Sequence, residues 1–187
     1  MYKRQGTGEA DGVSYEEITY EGYGPGGVAV LIEALTDNKN RTTPEIRKIF
    51  SKNAGNLGEN GCVAWMFDKR GYFIFEITKV NEDTIVDLAL EAEAEDVKND
   101  NENIEVILPP ENYKKFYDLI KEKNINCLNS EITLIPKTNV DLEGKKALQM
   151  LNLMEQLEDQ DDVQKVYANF NIADEIMEEI SADKDKL

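Results

Sequence analysis

The segment from Tyr20 to Phe67 constrains the fold more than any other part of this 187-residue chain. It contains two glycine-rich stretches, YEGYGPGG (Tyr20–Gly27) and AGNLGENGC (Ala54–Cys62), separated by an apolar run and a short basic segment. Glycine reaches backbone conformations that other residues adopt only at a steric cost. The first stretch therefore predicts a hairpin-like reversal between two strands, and the second predicts a tight loop after a helix.

The residues around these stretches predict a first structural unit. Val13–Gly22 and Gly27–Thr36 have the alternation of strands. Thr43 and Pro44 form a helix start signal, because threonine caps a helix and proline suits its first position. This helix is expected to run to about Asn53. Its core-facing residues are Ile46, Ile49 and Phe50.

Residues 70–129 predict a second unit with the order β-α-β-β-α-β, which is typical of a ferredoxin-like fold. The expected elements are a strand at 72–78, a helix at 82–93, strands at 96–98 and 104–108, a helix at 111–123 and a last strand at 125–128. The chain then returns to the first unit with a strand at 131–135, a helix at 144–157 and a strand at 162–168. Residues 181–187 are expected to be a frayed, charged tail.

The predicted fold class is therefore α+β, with two mixed α/β domains, one of which is inserted into the other. The discontinuous domain comprises residues 13–69 and 130–180, and the inserted ferredoxin-like domain comprises residues 70–129. Residues 1–12 are interpreted as a linker.

Several motifs in this chain resemble those of the YebC/PmpR family, which includes the mitochondrial translational activators of cytochrome c oxidase subunit I. Besides the Tyr20–Phe67 segment, they are Glu82-Asp83-Thr84, Ala94-Glu95-Asp96-Val97, Ile135-Pro136, Leu157-Glu158-Asp159 and Asp162–Tyr167. The resemblance covers Gly6 to Ile180 and also implies a discontinuous first domain. It implies a cytoplasmic regulatory protein, described for the family as a DNA-binding transcriptional regulator. The second role implied is a translation factor at the ribosome.

The family pattern opens with a basic helical domain that has no counterpart in this sequence. The five residues Met1–Gln5 precede the resemblance and correspond to the codons GTG TAT AAG AGA CAG, which resemble the end of a sequencing adaptor. We therefore expect an artefactual start to a truncated reading frame. The alternative is a genuinely short paralogue.

The charge of the chain opposes nucleic-acid binding by the molecule as a whole. There are 38 Asp and Glu residues against 21 Lys and Arg residues, and the net charge is −17. A phosphate backbone attracts protein mainly through Lys and Arg. Without the basic domain, we expect duplex DNA to bind only in the non-specific range of ~10⁻⁴ M or weaker.

One local cluster of cations reverses this trend and is the predicted nucleic-acid-binding site. It consists of Lys39, Arg41, Arg47, Lys48 and Lys52, with Glu45 as the single acid among them. The expected partner is DNA, or rRNA or tRNA at the ribosome, and the alternative is an ordinary solvated helix face. A third hypothesis is a protein-binding scaffold, in which the acidic body faces a basic partner such as a ribosomal protein.

Other kinds of site find little support in the sequence. There is no histidine, no HExxH, Walker or GxSxG motif, and no CxxC pair, so we predict no enzyme, cofactor or metal. The Gly55–Gly61 loop can be interpreted as a phosphate cradle, but it follows the carboxyl end of a helix, which favours a plain turn.

The predicted strand of the second unit resembles an RNA-recognition sheet in its aromatic residues, which are Tyr72, Phe73 and Phe75. Phe73 and Phe75 are, however, expected to face the core. No apolar run approaches the ~20 residues of a membrane span, which favours the cytoplasm.

Overall fold

The computed structural model describes residues 12–184, and the chain divides into two compact units. Unit 1 contains the described residues up to Met66 and those from Pro136 onward, and unit 2 is Phe67–Ile135. The sequence analysis places these boundaries at residues 69/70 and 129/130. The predicted linker and start fall almost entirely outside the described residues, as do residues 185–187.

Ten strands and five α-helices make up the described part of the chain. The strands are β1 (Glu16–Tyr23), β2 (Ala29–Thr36), β3 (Asn56–Leu57), β4 (Phe67–Glu76), β5 (Asp96–Asn99), β6 (Asn103–Leu108), β7 (Asn129–Pro136), β8 (Val140–Asp141), β9 (Val163–Ala168) and β10 (Phe170–Asn171). The helices are α1 (Lys39–Lys52), α2 (Glu82–Glu91), α3 (Tyr113–Glu122), α4 (Gly144–Glu158) and α5 (Asp174–Lys184). None of these helices is both long and apolar enough to cross a membrane.

Unit 1 is built on a four-stranded sheet with the order β3-β1-β2-β9. β2 pairs antiparallel with both β1 and β9, so that Ile32 lies between Tyr20 and Val166. Buried side chains of α1 and α4 complete the core. Its members include Val30, Ile32, Ile46, Phe50, Met150, Leu153 and Leu157.

The predicted reversal between β1 and β2 is a tight loop that packs against α4. The backbone N–H of Gly24 donates to the carbonyl of Val28, and Gly26 has a φ of 73°. A Cβ on Gly24 would lie 2.7 Å from the sulfur of Met150, closer than atoms can approach without movement. Glycine at these positions therefore sets both the direction of the turn and its distance from α4.

Unit 2 has the ferredoxin-like arrangement that the element order predicts. Its sheet order is β5-β6-β4-β7, and β6 pairs antiparallel with both β4 and β5. Phe73 and Phe75 of β4 are fully buried against the two helices. The ring of Phe116 on α3 meets the ring of Phe73 edge-on, with 4.8 Å between centroids. The α+β fold class is confirmed.

Helix α1 begins earlier than the sequence prediction, which placed its start at Thr43. The true N-cap is Asn38, whose side-chain oxygen accepts the backbone N–H of Arg41. Pro44 lies inside the helix. The Thr43 hydroxyl hydrogen-bonds the Tyr20 hydroxyl at 2.9 Å instead of capping. The asparagine cap, one turn upstream, outweighs the Thr-Pro signal.

Three further predictions differ from the structure near the end of unit 2 and of the chain. Residues 125–128 are not a strand, because Ile125 and Cys127 pack on the core of unit 2 as an irregular segment. The last strand of unit 2 is β7, so residues 131–135 belong to unit 2 and not to the returning chain. The predicted tail begins at residue 181, whereas α5 continues to Lys184.

Candidate nucleic-acid interface

Helix α1 carries all five predicted site residues, and its buried side fixes it on the sheet of unit 1. Ile46 and Phe50 are fully buried, and Ile49 is partly buried against the same core. At the end of the helix, the Asn53 amide donates to the Ile49 carbonyl at 2.8 Å and to the Gln156 side chain of α4 at 3.2 Å. The opposite side of α1 is therefore held in a constant orientation towards solvent.

The first turn of α1 is bound to the segment that precedes β9. The Thr42 hydroxyl lies 2.8 Å from the Thr36 hydroxyl and 2.6 Å from a carboxylate oxygen of Asp162. Asp162 also holds the end of β2, because its carbonyl accepts the backbone N–H of Leu35. This network joins two parts of the chain about 120 residues apart in sequence.

Arg41 belongs to this network and differs in this respect from the other predicted cations. Its guanidinium group lies 3.0 Å from Asp37 and 3.1 Å from Asp162. The hydrogen bond and the charge of Asp162 raise the pKa of Arg41. Two carboxylates therefore neutralise the charge of Arg41 in this structure.

Asp162 stays ionised despite its partial burial. Burial alone would raise the pKa of its carboxyl group. Hydrogen bonds from Thr42, Arg41 and Gln160 and the charge of Arg41 outweigh that effect and lower the pKa below its ordinary value.

The other four cations are Lys39, Arg47, Lys48 and Lys52, which we call the α1 basic surface. All four are exposed, and none forms an ion pair within the described part of the chain. Lys48 and Lys52 are one turn apart and lie on the same side of the helix. The neighbouring acid, Glu45, accepts a hydrogen bond from Gln160 at 2.8 Å. A phosphate group can approach these four cations without first displacing a protein carboxylate.

The glycine-rich loop after α1 is folded around a buried carboxylate, that of Glu21 in β1. Glu21 is 4% exposed, and its oxygens accept the backbone N–H groups of Gly61, Val63 and Ala64. Those donors are the ones that an anion cradle would need. The protein fills the place itself, so the interpretation as a phosphate cradle is wrong.

Sequence reasoning missed Glu21 because nothing distinguishes it from the other acids of a charged chain. Only its position between Tyr20 and Gly22, in a strand that is otherwise buried there, gives a signal.

This loop also presents an exposed indole, that of Trp65. The side chain is 63% exposed, and its ring N–H donates to the Cys62 carbonyl at 3.1 Å. The Tyr23 hydroxyl donates to the same carbonyl at 3.3 Å. An exposed aromatic ring whose orientation is fixed by a hydrogen bond can stack on a nucleobase. The sequence analysis did not single it out.

The aromatic residues of β4 do not form an RNA-recognition platform. The expectation that Phe73 and Phe75 face the core is confirmed, since both are fully buried. Tyr72 alternates with these residues along β4 and points to the other face of the sheet. Burial and the carboxylates of Glu105, Asp100 and Glu131 raise the Tyr72 pKa. This face is acidic, which opposes a phosphate backbone.

Within the described part of the chain, no cluster of side chains has the composition of a metal site. Across residues 12–184, no group of three or more Cys, Asp or Glu side chains could hold a metal ion, and the sequence has no histidine.

Comparison with known proteins gives consistent matches over most of the chain. The sequence model of the family described as "TACO1/YebC second and third domain" matches residues 15–170. A relative from Dictyoglomus turgidum, named "Probable transcriptional regulatory protein", is 54% identical over 178 residues, covering 95% of this chain and 72% of the relative. A relative of the same name from Syntrophus aciditrophicus is 53% identical over 180 residues, covering 96% and 72%.

A solved structure supports the same relationship at the level of the fold. The crystal structure of a conserved hypothetical protein from Aquifex aeolicus matches with a TM-score of 0.79 and 39% sequence identity. The match covers 92% of this chain and 72% of the other.

Proposed function

Since the chain belongs to the TACO1/YebC family, we propose that it is a non-catalytic regulator of gene expression that contacts nucleic acid through the α1 basic surface. The relatives described above are named as probable transcriptional regulators, and DNA is accordingly the first partner that we propose. The observation that carries the proposal is the set of four exposed, unpaired cations on a helix whose other side is fixed in the core. A cytoplasmic location forms part of the proposal.

Such a surface suits contact with phosphates rather than the reading of bases. Lysine and arginine neutralise phosphates and release counterions, and these contacts position a protein without carrying sequence information. Because the chain is strongly acidic elsewhere, we expect weak binding with a steep dependence on salt. Sequence selectivity, if the full-length relatives have it, then depends on other parts of those proteins.

A second candidate is a translation factor that acts at the ribosome. It is favoured by the acidity of the rest of the chain, with a net charge of −17. A long duplex is repelled by such a body, whereas a ribosome offers both RNA phosphates for α1 and basic proteins for the acidic surfaces.

The test is a charge reversal on α1, Arg47→Glu with Lys48→Glu, measured on the full chain by fluorescence anisotropy with a labelled DNA duplex and a labelled RNA hairpin. Each lost phosphate contact removes about one unit from the slope of log K against log salt concentration. We therefore expect weaker binding and a slope smaller by about two units. Both side chains are exposed, and such surface changes typically alter stability by no more than ~0.5 kcal/mol.

The matched control is Lys145→Glu with Lys146→Glu in the first turn of α4. This pair is also exposed, lies in the same unit and changes the net charge equally. Equal effects of the two double variants would show that total charge, and not α1, governs binding. A preference for the RNA hairpin over the duplex would favour the ribosomal role.

A further inference from the structure

The sheet of unit 2 has one covered face and one open face. Phe73 and Phe75 point towards α2 and α3, and the residues that alternate with them on β4 point the other way. Within the described residues of unit 2, no helix packs on that second side. Its members on the three strands with known register are Tyr72, Ile74, Glu76, Asp96, Lys98, Glu105 and Ile107. We call this set the open face of unit 2.

An apolar strip runs along the centre of the open face. Tyr72 of β4 lies opposite Ile107 of β6, and Ile74 follows two residues later on the same strand. Tyr72 and Ile74 remain partly exposed, whereas Ile107 is only 9% exposed. Alternate residues of a strand are about 6.5–7 Å apart, which is also the spacing of alternate side chains in any extended peptide.

Carboxylates lie next to this strip on β5 and β6. Asp96 lies beside Ile107, and Glu105 lies beside Ile74. Lys98 is 3.7 Å from Asp96, and this cation is therefore already matched by an acid. Among the charged members of the open face, Glu76, Asp96 and Glu105 are acids and Lys98 is a cation, so the strip lies in acidic surroundings.

We propose that the open face of unit 2 docks a basic polypeptide segment in an extended conformation. Alternate apolar side chains of the segment contact Tyr72 and Ile74, and one of its Lys or Arg residues pairs with Glu105. Other cations of the segment compete with Lys98 for Asp96 and with Lys79 for Glu76. Charge complementarity selects this occupant. Nucleic acid is repelled by the same carboxylates, and a second copy of the chain would bring identical acids into contact with them.

This surface is independent of the α1 basic surface, which lies in unit 1 and carries the opposite charge. An experiment can therefore refute the proposal for the open face of unit 2 without refuting the proposal for the α1 basic surface, and the reverse also holds. A protein that uses both would join a nucleic acid and a basic protein, which are the two components of a ribonucleoprotein or a nucleoprotein complex.

The test uses the full chain and a labelled synthetic peptide of alternating Arg and Leu residues, with a counterpart in which Glu replaces each Arg. Binding is measured by anisotropy at low salt and mapped by backbone amide NMR. We expect the Arg peptide alone to bind, with shifted amides concentrated in β4 and β6. Asp96→Asn with Glu105→Gln removes one exposed and one half-buried charge, and it should raise the dissociation constant about three- to tenfold.

A closely matched control lies on the covered side of the same unit. Asp118→Asn with Glu122→Gln removes one Asp and one Glu from α3, and Asp118 pairs with Lys114 as Asp96 pairs with Lys98. This pair should change the dissociation constant less than twofold. Ile74→Ser leaves every charge in place. It should still raise the dissociation constant of the Arg peptide about threefold, because it removes an apolar contact with the peptide.

Three results would overturn the proposal. They are equal weakening by the two double variants, shifted amides on α3 in place of β4 and β6, and tighter binding of a single-stranded RNA to the open face than of the Arg peptide. Failure of the Arg peptide to bind at low salt would also overturn the proposal.

Discussion

The two units contain similar sheets that are assembled from the sequence in opposite ways. Unit 2 closes its sheet within one continuous segment, Phe67–Ile135. Unit 1 needs segments from both ends of the described chain, because β2 pairs with β9 and the Asn169 side chain accepts the backbone N–H of Ala29 at 2.7 Å. Unit 2 is therefore expected to fold independently, whereas unit 1 depends on unit 2 to keep its halves close.

The largest expected effect tests this dependence directly with Phe116→Ala in unit 2. Phe116 is fully buried and packs on the rings of Phe73 and Phe75. Truncation of a buried Phe costs about 3–5 kcal/mol, which should unfold unit 2 first. Unit 1 must then close over an unfolded loop of roughly 70 residues, at a cost of about 3–4 kcal/mol. Residue-resolved NMR during urea unfolding should show both units destabilised.

The reciprocal variant is Phe50→Ala in the core of unit 1, where Phe50 is equally buried. It should destabilise unit 1 by a similar ~3–5 kcal/mol while the signals of unit 2 persist to the same urea concentration as in the unmodified chain. Loss of both units together in this variant would show that they unfold as one cooperative body, and the asymmetry would then be refuted.

The next effect concerns the loop that only unit 1 contains. Glu21→Ala removes the acceptor for three backbone N–H groups, and buried donors without partners are costly. We expect a loss of about 2–4 kcal/mol in the stability of unit 1. Trp65 provides the readout, since it is the single tryptophan and lies in the same loop. Its emission should change at a lower urea concentration than in the unmodified chain.

Glu33→Ala is the control for this loop, because Glu33 lies on the neighbouring strand β2 but is exposed. Its effect should stay within ~0.5 kcal/mol. A similar loss in both variants would mean that the burial of Glu21 contributes nothing beyond its charge.

The contrast between contiguous and discontinuous units also explains what the sequence could predict. The ferredoxin-like order of unit 2 follows from local periodicity, and its buried aromatics were identified correctly at Phe73 and Phe75. The error at residues 125–128 arose because Ile125 and Cys127 are apolar and packed without being paired. Local pattern cannot distinguish a packed irregular segment from a strand.

In unit 1 the start of α1 was misplaced for a local reason, the Asn38 cap, but the other errors have a long-range cause. The five cations of the predicted basic cluster all lie on α1 and are exposed. The division of this cluster into a neutralised Arg41 and four unpaired cations depends on Asp162, which lies 121 positions away. The buried role of Glu21 depends likewise on a loop about 40 residues further along the chain. Contacts of this kind leave no signal in a single sequence.

A smaller effect should appear in the pH dependence of the stability of unit 1. Because the folded-state pKa of Asp162 is lowered, this carboxylate stabilises the fold above its ordinary pKa of ~3.9. The contribution is lost as the pH falls through the lower, folded-state pKa. Asp162→Asn should therefore lower the melting temperature of unit 1 at neutral pH and flatten its dependence on pH below ~4. A slope unchanged by the substitution would assign the acid sensitivity to other carboxylates.

The smallest effect separates two arginines on the same helix. Arg41 is bound to Asp37 and Asp162, whereas Arg47 has no ion pair within the described residues. Arg41→Gln should lower the melting temperature by on the order of 1–3 °C, since an exposed ion-pair network contributes modestly. Arg47→Gln should leave it unchanged within error. Binding to the labelled RNA hairpin should show the reverse order, because Arg41 is already neutralised and Arg47 is free to meet a phosphate. If Arg41→Gln weakens binding as much as Arg47→Gln does, the Asp162 network opens on binding, and Arg41 then belongs to the interface after all.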